Sequence, residues 1–259
     1  MSIEFSEFKD QAKKVLKINF DGYKIDRVER RTKSLMNRHD IQDFSECIEL
    51  IKSDDQFRDA YLNHFTINTS EFFRNPKNFN FLEKKIFPKL FAEKRKVRIW
   101  SAPCSNGSEP YTLAIILKEL NIRSSSFEIV ASDLDKTILK EAKKAVYKES
   151  SIKNVPKKLL NKYFEKIDKR NYQLSPEIKR EVNFEQRDLI NKDFADNWDL
   201  ILSRNFFIYL TKEMKDQLIK KFINVLNEEG YLFLGNTEYI FNPKKYGLEK
   251  LYQSFYIYR

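Results

Sequence analysis

The stretch that decides the fold is Val97–Leu117, which reads VRIWSAPCSNGSEPYTLAIIL. Its first residues are mostly β-branched or aromatic, which is typical of a strand. From Pro110 onward the apolar residues recur at helical spacing. A proline suits the first turn of a helix because its missing N–H would have no intrahelical partner there. The small residues in between allow backbone to approach a ligand closely. A strand, a tight loop and a helix in this order predict a nucleotide-type cofactor site at the carboxyl end of a first parallel strand.

The glycine content of this loop is too low for a generic dinucleotide fingerprint. Gly107 is the only glycine of the stretch, and no G-x-G-x-x-G is present. The order of strand, loop and helix alone therefore fits an ordinary strand–helix unit as well as it fits a cofactor site. The residue identities go further, because they closely resemble the cofactor motif of the CheR family, the chemotaxis receptor methyltransferases that use S-adenosylmethionine. The matching residues are Trp100-Ser101-Ala102, Cys104-Ser105, Gly107 and Glu109-Pro110-Tyr111. The resemblance implies that Glu109 lies in a pocket for S-adenosylmethionine.

Composition sets limits on the chemistry. The chain has 259 residues, of which 41% are hydrophobic and 14% aromatic. This is enough for one large domain, or for a large domain with a smaller one. The two cysteines, Cys47 and Cys104, lie far apart in sequence, and there are only two histidines, His39 and His64. We therefore expect neither a disulfide framework nor a metal site, and a histidine base is disfavoured.

The charge of the chain is basic but uneven. The formal net charge is +10, with 13 Lys+Arg against 14 Asp+Glu in residues 1–75 and 35 against 24 in residues 76–259. A diffuse lysine excess is typical of a solvated surface, and it leaves open an acidic partner, either protein or nucleic acid. No apolar run is long enough to span a bilayer and no signal peptide is recognisable. We expect a cytoplasmic protein without direct membrane insertion.

The first part of the chain has the apolar periodicity of helices. Within it, four arginines follow the spacing i, i+3, i+4 and i+11, which predicts that their guanidinium groups share one helical face. They are Arg27, Arg30, Arg31 and Arg38. A solvated face explains them as well as a binding face does. In the CheR family a basic helix of the small N-terminal domain is thought to lie against the acidic helical bundle of the receptor, so the resemblance implies a receptor-binding role.

A second motif lies at residues 67–76, INTSEFFRNP. Read alone, it is a polar helix start with two core phenylalanines. It resembles the family motif Asn-x-Thr-x-Phe-Phe-Arg, with Ser70 where threonine is usual. The resemblance implies that Asn68, Ser70 and Arg74 reach the cofactor, and an arginine is chemically suited to the cofactor's carboxylate.

The next predicted strand ends in two carboxylates. Phe127–Asp135 reads FEIVASDLD, and an acidic residue at this place can accept hydrogen bonds from both hydroxyls of a ribose. We assign this role to Asp133 and expect Asp135 to cap the following helix. Further along, Asp188 and Leu189 align with residues that lie near the adenine in the family.

A third family motif follows a buried strand. Residues 199–210 read DLILSRNFFIYL, which resembles the family's Cys-Arg-Asn-x-x-Ile-Tyr-Phe. The resemblance places Arg204 and Asn205 at the cofactor, and Asn205 and Tyr209 at the point of methyl transfer. A last strand, predicted over Tyr252–Tyr258, completes a mostly parallel sheet with one antiparallel member.

The sequence as a whole predicts an α/β fold with two domains and an insertion. Residues 1–75 form a small all-helical N-terminal domain, and residues 76–259 form a Rossmann-like S-adenosylmethionine-dependent methyltransferase domain. Residues 148–181 carry ten Lys+Arg against five Asp+Glu and break the alternation of strands and helices. They match the place of the antiparallel β-subdomain that helps family members to hold the receptor.

The function that the resemblance implies is transfer of a methyl group from S-adenosylmethionine to glutamate side-chain carboxylates of chemoreceptors, which sets sensory adaptation. Two alternatives stay open. A nucleic-acid methyltransferase fits the charge, although the Asn-Pro-Pro-Tyr type loop of amine methylators is absent. A non-catalytic adaptor fits the departures from the motifs at Ser70, Pro103, Ser108 and Asn236. We expect a monomer that binds the cytoplasmic helical domain of chemoreceptors, without a metal or a specific nucleic-acid partner.

Overall fold

The computed structural model describes residues 3–66, 70–194 and 197–259. In the first of these ranges the longer helices are α1 (Phe5–Leu16), α2 (Ile25–Arg38), α3 (Phe44–Ser53) and α4 (Asp55–Thr66). Each turns an apolar stripe inward. The side chains at its centre are at most 2% exposed and include Phe8, Ala12, Ile48, Ile51 and Tyr61. Helices of this length are marginal alone, so burial of these stripes against one another supplies most of their stability.

The rest of the chain is α/β. Its strands are β1 (Val97–Ser101), β2 (Phe127–Asp133), β3 (Val146–Lys148), β4 (Phe164–Lys166), β5 (Asn171–Leu174), β6 (Val182–Gln186), β7 (Trp198–Ser203), β8 (Leu226–Leu234), β9 (Leu248–Tyr252) and β10 (Phe255–Tyr258). Its α-helices are α5 (Pro76–Phe81), α6 (Phe87–Glu93), α7 (Ser108–Glu119), α8 (Lys136–Lys144), α9 (Glu149–Ile152), α10 (Lys157–Tyr163), α11 (Pro176–Lys179) and α12 (Lys212–Val225). None of the helices in the described ranges has the length and apolar character that a membrane-spanning segment needs.

The main sheet of the described chain has the strand order β6-β2-β1-β7-β8-β10-β9. Strand β10 is antiparallel to both of its neighbours, and the other pairings are parallel. From β1 the chain continues to β2 and β6 on one side, and then returns to β7 on the other side. The strand order therefore reverses between β1 and β7. In open parallel sheets, ligands bind beyond the carboxyl ends of the strands at this kind of switch point.

The sheet has a core on both faces. On β1, Ile99 belongs to the cluster that includes Leu113 and Ile116 of α7, whereas its neighbour Trp100 belongs to the cluster that includes Phe222 of α12. This alternation follows from the period of two in a strand. Helices on both faces explain why β1 and β7 are almost wholly buried.

A smaller sheet lies between β2 and β6 in sequence. Its strands are antiparallel and follow the order β3-β5-β4. The predicted antiparallel insertion is confirmed as a feature of the fold. It packs on the main domain partly through Tyr163, which donates a hydrogen bond to Glu119 of α7.

One local prediction needs correction, and another is confirmed. The single final strand over Tyr252–Tyr258 is wrong, because the structure has β9 and β10 separated by a turn. Gln253 in that turn has φ 35°, a left-handed backbone that a strand cannot contain. Helix α7 begins at Ser108, so Pro110 is its third residue, still within the first turn.

The helical part is joined to the sheet part by backbone contacts. Tyr23 forms an antiparallel bridge with Leu210. On either side of it, the N–H of Lys24 donates to the carbonyl of Tyr209 at 2.9 Å, and the N–H of Thr211 donates to the carbonyl of Gly22 at 3.0 Å. These contacts lie directly beside the loop that follows β7.

Candidate active site

A cleft opens beyond the carboxyl ends of β1, β2 and β7, at the switch point of the sheet. It has two halves that share the residues Thr66, Pro103, Asp133, Phe206 and Tyr209. One half is also lined by Ser70, Arg74, Glu109, Arg204 and Asn205. The other half is also lined by Arg27, Arg31, Asp188 and Leu189. The structure therefore brings the described site residues into one cleft, apart from Arg30 and Arg38. Asn68 lies outside the described residues.

The loop after β1 forms the floor of the cleft. The N–H of Cys104 donates to the carbonyl of Ser132 at 2.8 Å, which ties the loop to the end of β2. Gly107 has φ +82°, and a Cβ there would lie 3.1 Å from Ala142 Cβ and from Phe184 Cζ. A glycine is needed both for the backbone conformation and for the close packing. The one glycine of the motif thus shapes the loop.

Asp133 ends β2 and is 4% exposed. One carboxylate oxygen accepts the N–H of Ser105 at 2.8 Å, and the other accepts the N–H of Asp135 at 3.1 Å. Burial raises the pKa of the Asp133 carboxyl to about 6, against the opposing effect of these hydrogen bonds. A carboxylate has about four acceptor sites, so capacity remains for two hydroxyls of a ligand.

Asp135 has a different role from Asp133. Its carboxylate accepts the N–H of Thr137 at 2.8 Å and of Ile138 at 3.2 Å, so it caps helix α8 as predicted. The hydroxyl of Thr66, at the end of α4, also donates to it at 3.2 Å. The cap therefore ties the helical domain to the sheet.

Glu109 and Arg204 form a buried ion pair. Arg204 Nη1 donates to Glu109 Oε2 at 3.0 Å, and Ser101 Oγ donates to Glu109 Oε1 at 2.8 Å. Arg204 Nη2 donates to the carbonyl of Arg74 at 2.8 Å and to Asn75 Oδ1 at 2.9 Å. Burial lowers the pKa of the Arg204 guanidinium, and Glu109 opposes this effect. Both side chains line the cleft, but most of their hydrogen-bonding capacity holds strands and loops together.

Arg74 is placed differently. Its carbonyl is held by Arg204, while its guanidinium lines the cleft beside Ser70. Within the part of the chain that the structure describes, no ion pair engages this guanidinium. Arg74 is thus a cation available for an anionic group of a ligand.

Asp188 and Leu189 lie on the other wall. The Asp188 carboxylate accepts from the N–H groups of Ile190 at 2.9 Å and Asn191 at 3.0 Å, and from Asn191 Nδ2 at 2.7 Å. These contacts close its own turn and leave little of the carboxylate for a ligand. Leu189 is 5% exposed and supplies apolar wall.

The loop after β7 carries Asn205 and Tyr209. Asn205 has φ 59°, and its N–H donates to Glu238 Oε2 at 2.8 Å. The same carboxylate accepts the N–H of Gly235 at 2.7 Å and of Ile208 at 3.1 Å. Glu238 is 5% exposed, and burial raises its pKa while these hydrogen bonds oppose the rise. Glu238 therefore fixes the conformation of the loop.

Sequence reasoning assigned no role to Glu238. The signal that could have revealed it is the Gly-x-x-Glu turn directly after a buried strand. A Cβ at Gly235 would lie 2.5 Å from Glu238 Oε2 and 2.9 Å from the nitrogen of Asn205. A glycine is needed there because the carboxylate and the loop approach its backbone so closely.

The four arginines lie on α2, where their spacing places them within one arc of the helix, but they line two different surfaces. Arg27 and Arg31 line the cleft, and the guanidinium of Arg27 lies over the ring of Tyr209 at 5.3 Å from its centroid. Arg30 and Arg38 line a separate outer depression together with Asp26 and Glu29. Arg38 is the last residue of α2, about two turns beyond Arg31 on the same side of the helix. It therefore lies outside the cleft because of its position along the helix axis.

Metal ligation finds no support in the described ranges. Among residues 3–66, 70–194 and 197–259, no group of three or more His, Cys, Asp or Glu side chains is arranged to hold a metal ion. Cys47 and Cys104 are both buried and free.

The fold and the cleft define a Rossmann-like site for a nucleoside-containing cofactor. Comparison with known protein families shows to which class of proteins the chain belongs. Residues 68–255 match the family model described as the SAM binding domain of CheR methyltransferases, and residues 3–66 match the all-alpha domain of the same family. The chain belongs to the CheR methyltransferase family, as the motifs predicted.

Two curated relatives agree with this assignment. The chain is 35% identical to a chemotaxis protein methyltransferase of Listeria innocua, over 98% of this chain and 97% of the relative. It is 33% identical to a chemotaxis protein methyltransferase of Borreliella burgdorferi, over 90% of this chain and 89% of the relative. Among solved structures, the glycopeptide N-methyltransferase MtfA complexed with sinefungin is 10% identical with a TM-score of 0.39, over 64% of this chain and 50% of that one. That similarity is too low to add to the argument.

Proposed function

We propose that this CheR-family protein transfers the methyl group of S-adenosylmethionine to glutamate side-chain carboxylates of chemoreceptors. The observation that carries the proposal is a pair of guanidinium groups at the cleft, those of Arg31 and of Arg27, which lies over the ring of Tyr209. A carboxylate substrate brings a negative charge, and guanidinium groups bind carboxylates well. Tyr209 lines both the half of the cleft that contains these arginines and the half that contains Arg74.

The described residues fit the cofactor. Arg74 has a guanidinium free of ion pairs among the described residues and suits the methionine carboxylate. Asp133 keeps acceptor capacity for the ribose hydroxyls, and Leu189 offers apolar contact to the adenine. Ser70 keeps a hydroxyl at the same wall as Arg74. Glu109 and Arg204 support these residues through their buried ion pair.

Methyl transfer to a carboxylate requires little of the protein beyond positioning of the two reactants. When bound, S-adenosylmethionine supplies a methyl group on a positively charged sulfur. A glutamate is already ionised near pH 7, so no general base is needed, and no histidine is among the described residues that line the cleft. Tyr209 donates a hydrogen bond to the incoming carboxylate and Asn205 orients the groups at the transfer point. Positioning of this kind can account for a large share of a rate enhancement.

The departures from the family motifs do not favour a silent adaptor. The hydroxyl of Ser108 donates to Asn106 Oδ1 at 2.8 Å, inside the loop after β1. Asn236 Oδ1 accepts a hydrogen bond from Asn78 Nδ2 at 2.7 Å. Both substituted residues are integrated into the local structure and leave the cleft intact.

The test is methyl transfer from radiolabelled S-adenosylmethionine to a purified cytoplasmic fragment of a chemoreceptor. We expect label on the fragment that base releases as methanol, because carboxyl methyl esters hydrolyse in base whereas methylated amines do not. A duplex oligonucleotide is the parallel acceptor. Label on the oligonucleotide, or none on any receptor fragment while the cofactor binds, would refute the proposal.

A further inference from the structure

A second groove lies on the opposite side of the loop after β7. It has a volume of about 710 Å³ and is lined by the first turns of α12 and by residues 237–246. Ile208 lines both this groove and the cleft, so the loop is the wall between them. A ligand in the groove would contact the loop one residue away from Tyr209.

The groove carries the most exposed large apolar side chains of the described chain. Tyr239 is 74% exposed and Phe241 is 86% exposed, and both line the groove. A single exposed apolar residue is ordinary. Two aromatic side chains two positions apart, at the edge of a concave surface, are characteristic of a protein-binding site.

The charge of the groove is positive and not neutralised. Lys24, Lys212 and Lys215 line it, and within the described residues none of the three has a carboxylate partner. Burial, and then the nearby Lys24, lower the pKa of Lys215. The two carboxylates of the groove are already engaged. Asp216 pairs with Lys220 and Lys245, and Glu238 accepts backbone N–H groups.

We propose that this groove docks an amphipathic, acidic helix of the substrate receptor, and the proposal rests on the proposed function. A purely apolar partner would leave the three lysines without counterions, and a purely acidic one would leave both aromatic rings in water. A helix can present an apolar and an acidic stripe together. Because Ile208 is shared, such a helix runs past the cleft with its methyl-accepting glutamate at Tyr209.

Two double variants of the full chain test the two halves of this surface. Lys212→Glu with Lys215→Glu reverses the charge, and Tyr239→Ser with Phe241→Ser removes the rings. Binding of a fluorescent cytoplasmic receptor fragment is followed by anisotropy, and methyl transfer by radiolabel. We expect each variant to raise the receptor Kd and KM roughly tenfold, with kcat at saturating receptor and the cofactor Kd unchanged.

Matched controls separate the groove from general effects. Lys84→Glu with Lys85→Glu makes the same charge change on exposed residues between α5 and α6. Tyr239→Phe with Phe241→Tyr exchanges the two rings and keeps their area. Both controls should bind the receptor fragment as the wild type does.

The outcomes are distinguishable. Unchanged receptor Kd in both groove variants overturns the docking proposal, whether or not methyl transfer occurs. If the wild type binds the fragment but transfers no methyl group, the proposed function is refuted. The receptor Kd values of the groove variants then still decide whether the receptor docks in the groove. If the groove variants lose binding to single-stranded oligonucleotide but not to the receptor fragment, the occupant is nucleic acid and the proposal is also overturned.

Discussion

Glu238 accepts a hydrogen bond of 2.8 Å from the backbone N–H of Asn205, 33 positions earlier in the chain. It also accepts from Ile208 and Gly235, so one buried carboxylate holds both the loop after β7 and the turn after β8. The carboxylate thus fixes the relative position of these two segments through backbone hydrogen bonds alone. The residue is best described as a positioning residue for Asn205 and Tyr209.

Glu238→Gln should lower kcat roughly tenfold to a hundredfold. Glutamine keeps the shape but offers only one acceptor atom to three N–H groups, and loss of hydrogen bonds to a charged acceptor costs about 1.5–3 kcal/mol. The cofactor Kd, measured by calorimetry, should change less than kcat. Glu249→Gln, the same change on the exposed strand β9, is the control. If kcat, cofactor affinity and thermal stability all fell to a similar extent, Glu238 would be a purely structural residue.

Asp133→Ala should weaken cofactor binding tenfold to a hundredfold. The reason is the loss of hydrogen bonds to a charged acceptor, about 1.5–3 kcal/mol. Calorimetry on the folded variant measures the effect. An unchanged Kd would remove Asp133 from the cofactor site.

The same carboxyl gives a pH dependence with a definite sign. Its pKa is raised from 3.8 to about 6, so the folded protein binds this proton more tightly than the unfolded chain. The resulting stabilisation, roughly 3 kcal/mol, is fully present below about pH 4 and is lost as the pH rises through 6. Urea unfolding of the wild type and of Asp133→Asn across this range should show the difference. Because the ionised carboxylate is the stronger acceptor, cofactor affinity should instead rise over the same range.

Tyr209→Phe should slow methyl transfer with little change in cofactor affinity. The variant keeps the ring beneath Arg27 and removes only the hydroxyl that we propose orients the incoming carboxylate, so the loss should appear in kcat. Tyr258→Phe, in the C-terminal strand, serves as the control for hydroxyl removal. A matching loss of cofactor binding would instead assign Tyr209 to the cofactor or to packing.

The two pairs of arginines on α2 should behave differently. Arg27→Glu with Arg31→Glu reverses charge at the cleft, and should raise the receptor KM and also lower kcat. Arg30→Glu with Arg38→Glu makes the same charge change on the outer depression. This second variant should lower only the rate at which the protein and the receptor associate, and the difference from the wild type should vanish as salt is added. Indistinguishable behaviour of the two pairs in a salt titration would mean that only the net charge of the helix matters.

Much of the fold could be predicted because its signals are local. Strand β2 begins at the predicted residue, Phe127, and ends at Asp133, two residues before the predicted end. The strand, loop and helix within Val97–Leu117 follow from a change of apolar period. The cap at Asp135 is also local, since the carboxylate meets N–H groups two and three positions away. The resemblance to the CheR family then named side chains that the fold gathers in one cleft.

The rest could not be predicted, since it depends on segments distant in sequence. The spacing of the arginines describes α2 alone, and which of them reach the cleft depends on how much of the helix lies against it. The role of Glu238 depends on a loop 33 positions away. The turn at Gln253 that separates β9 from β10 interrupts a run of aromatic and apolar residues without a glycine or proline to mark it.

The bridge between Tyr23 and Leu210 ties the helical domain to the loop that carries Tyr209. The two backbone hydrogen bonds beside it involve the carbonyl of Tyr209 and the N–H of Thr211. The helical domain therefore holds the loop at the residue proposed to orient the substrate. Any hinge motion that swings the helical domain away must break these bonds first. Opening of the cleft and release of the loop at Tyr209 would then occur together.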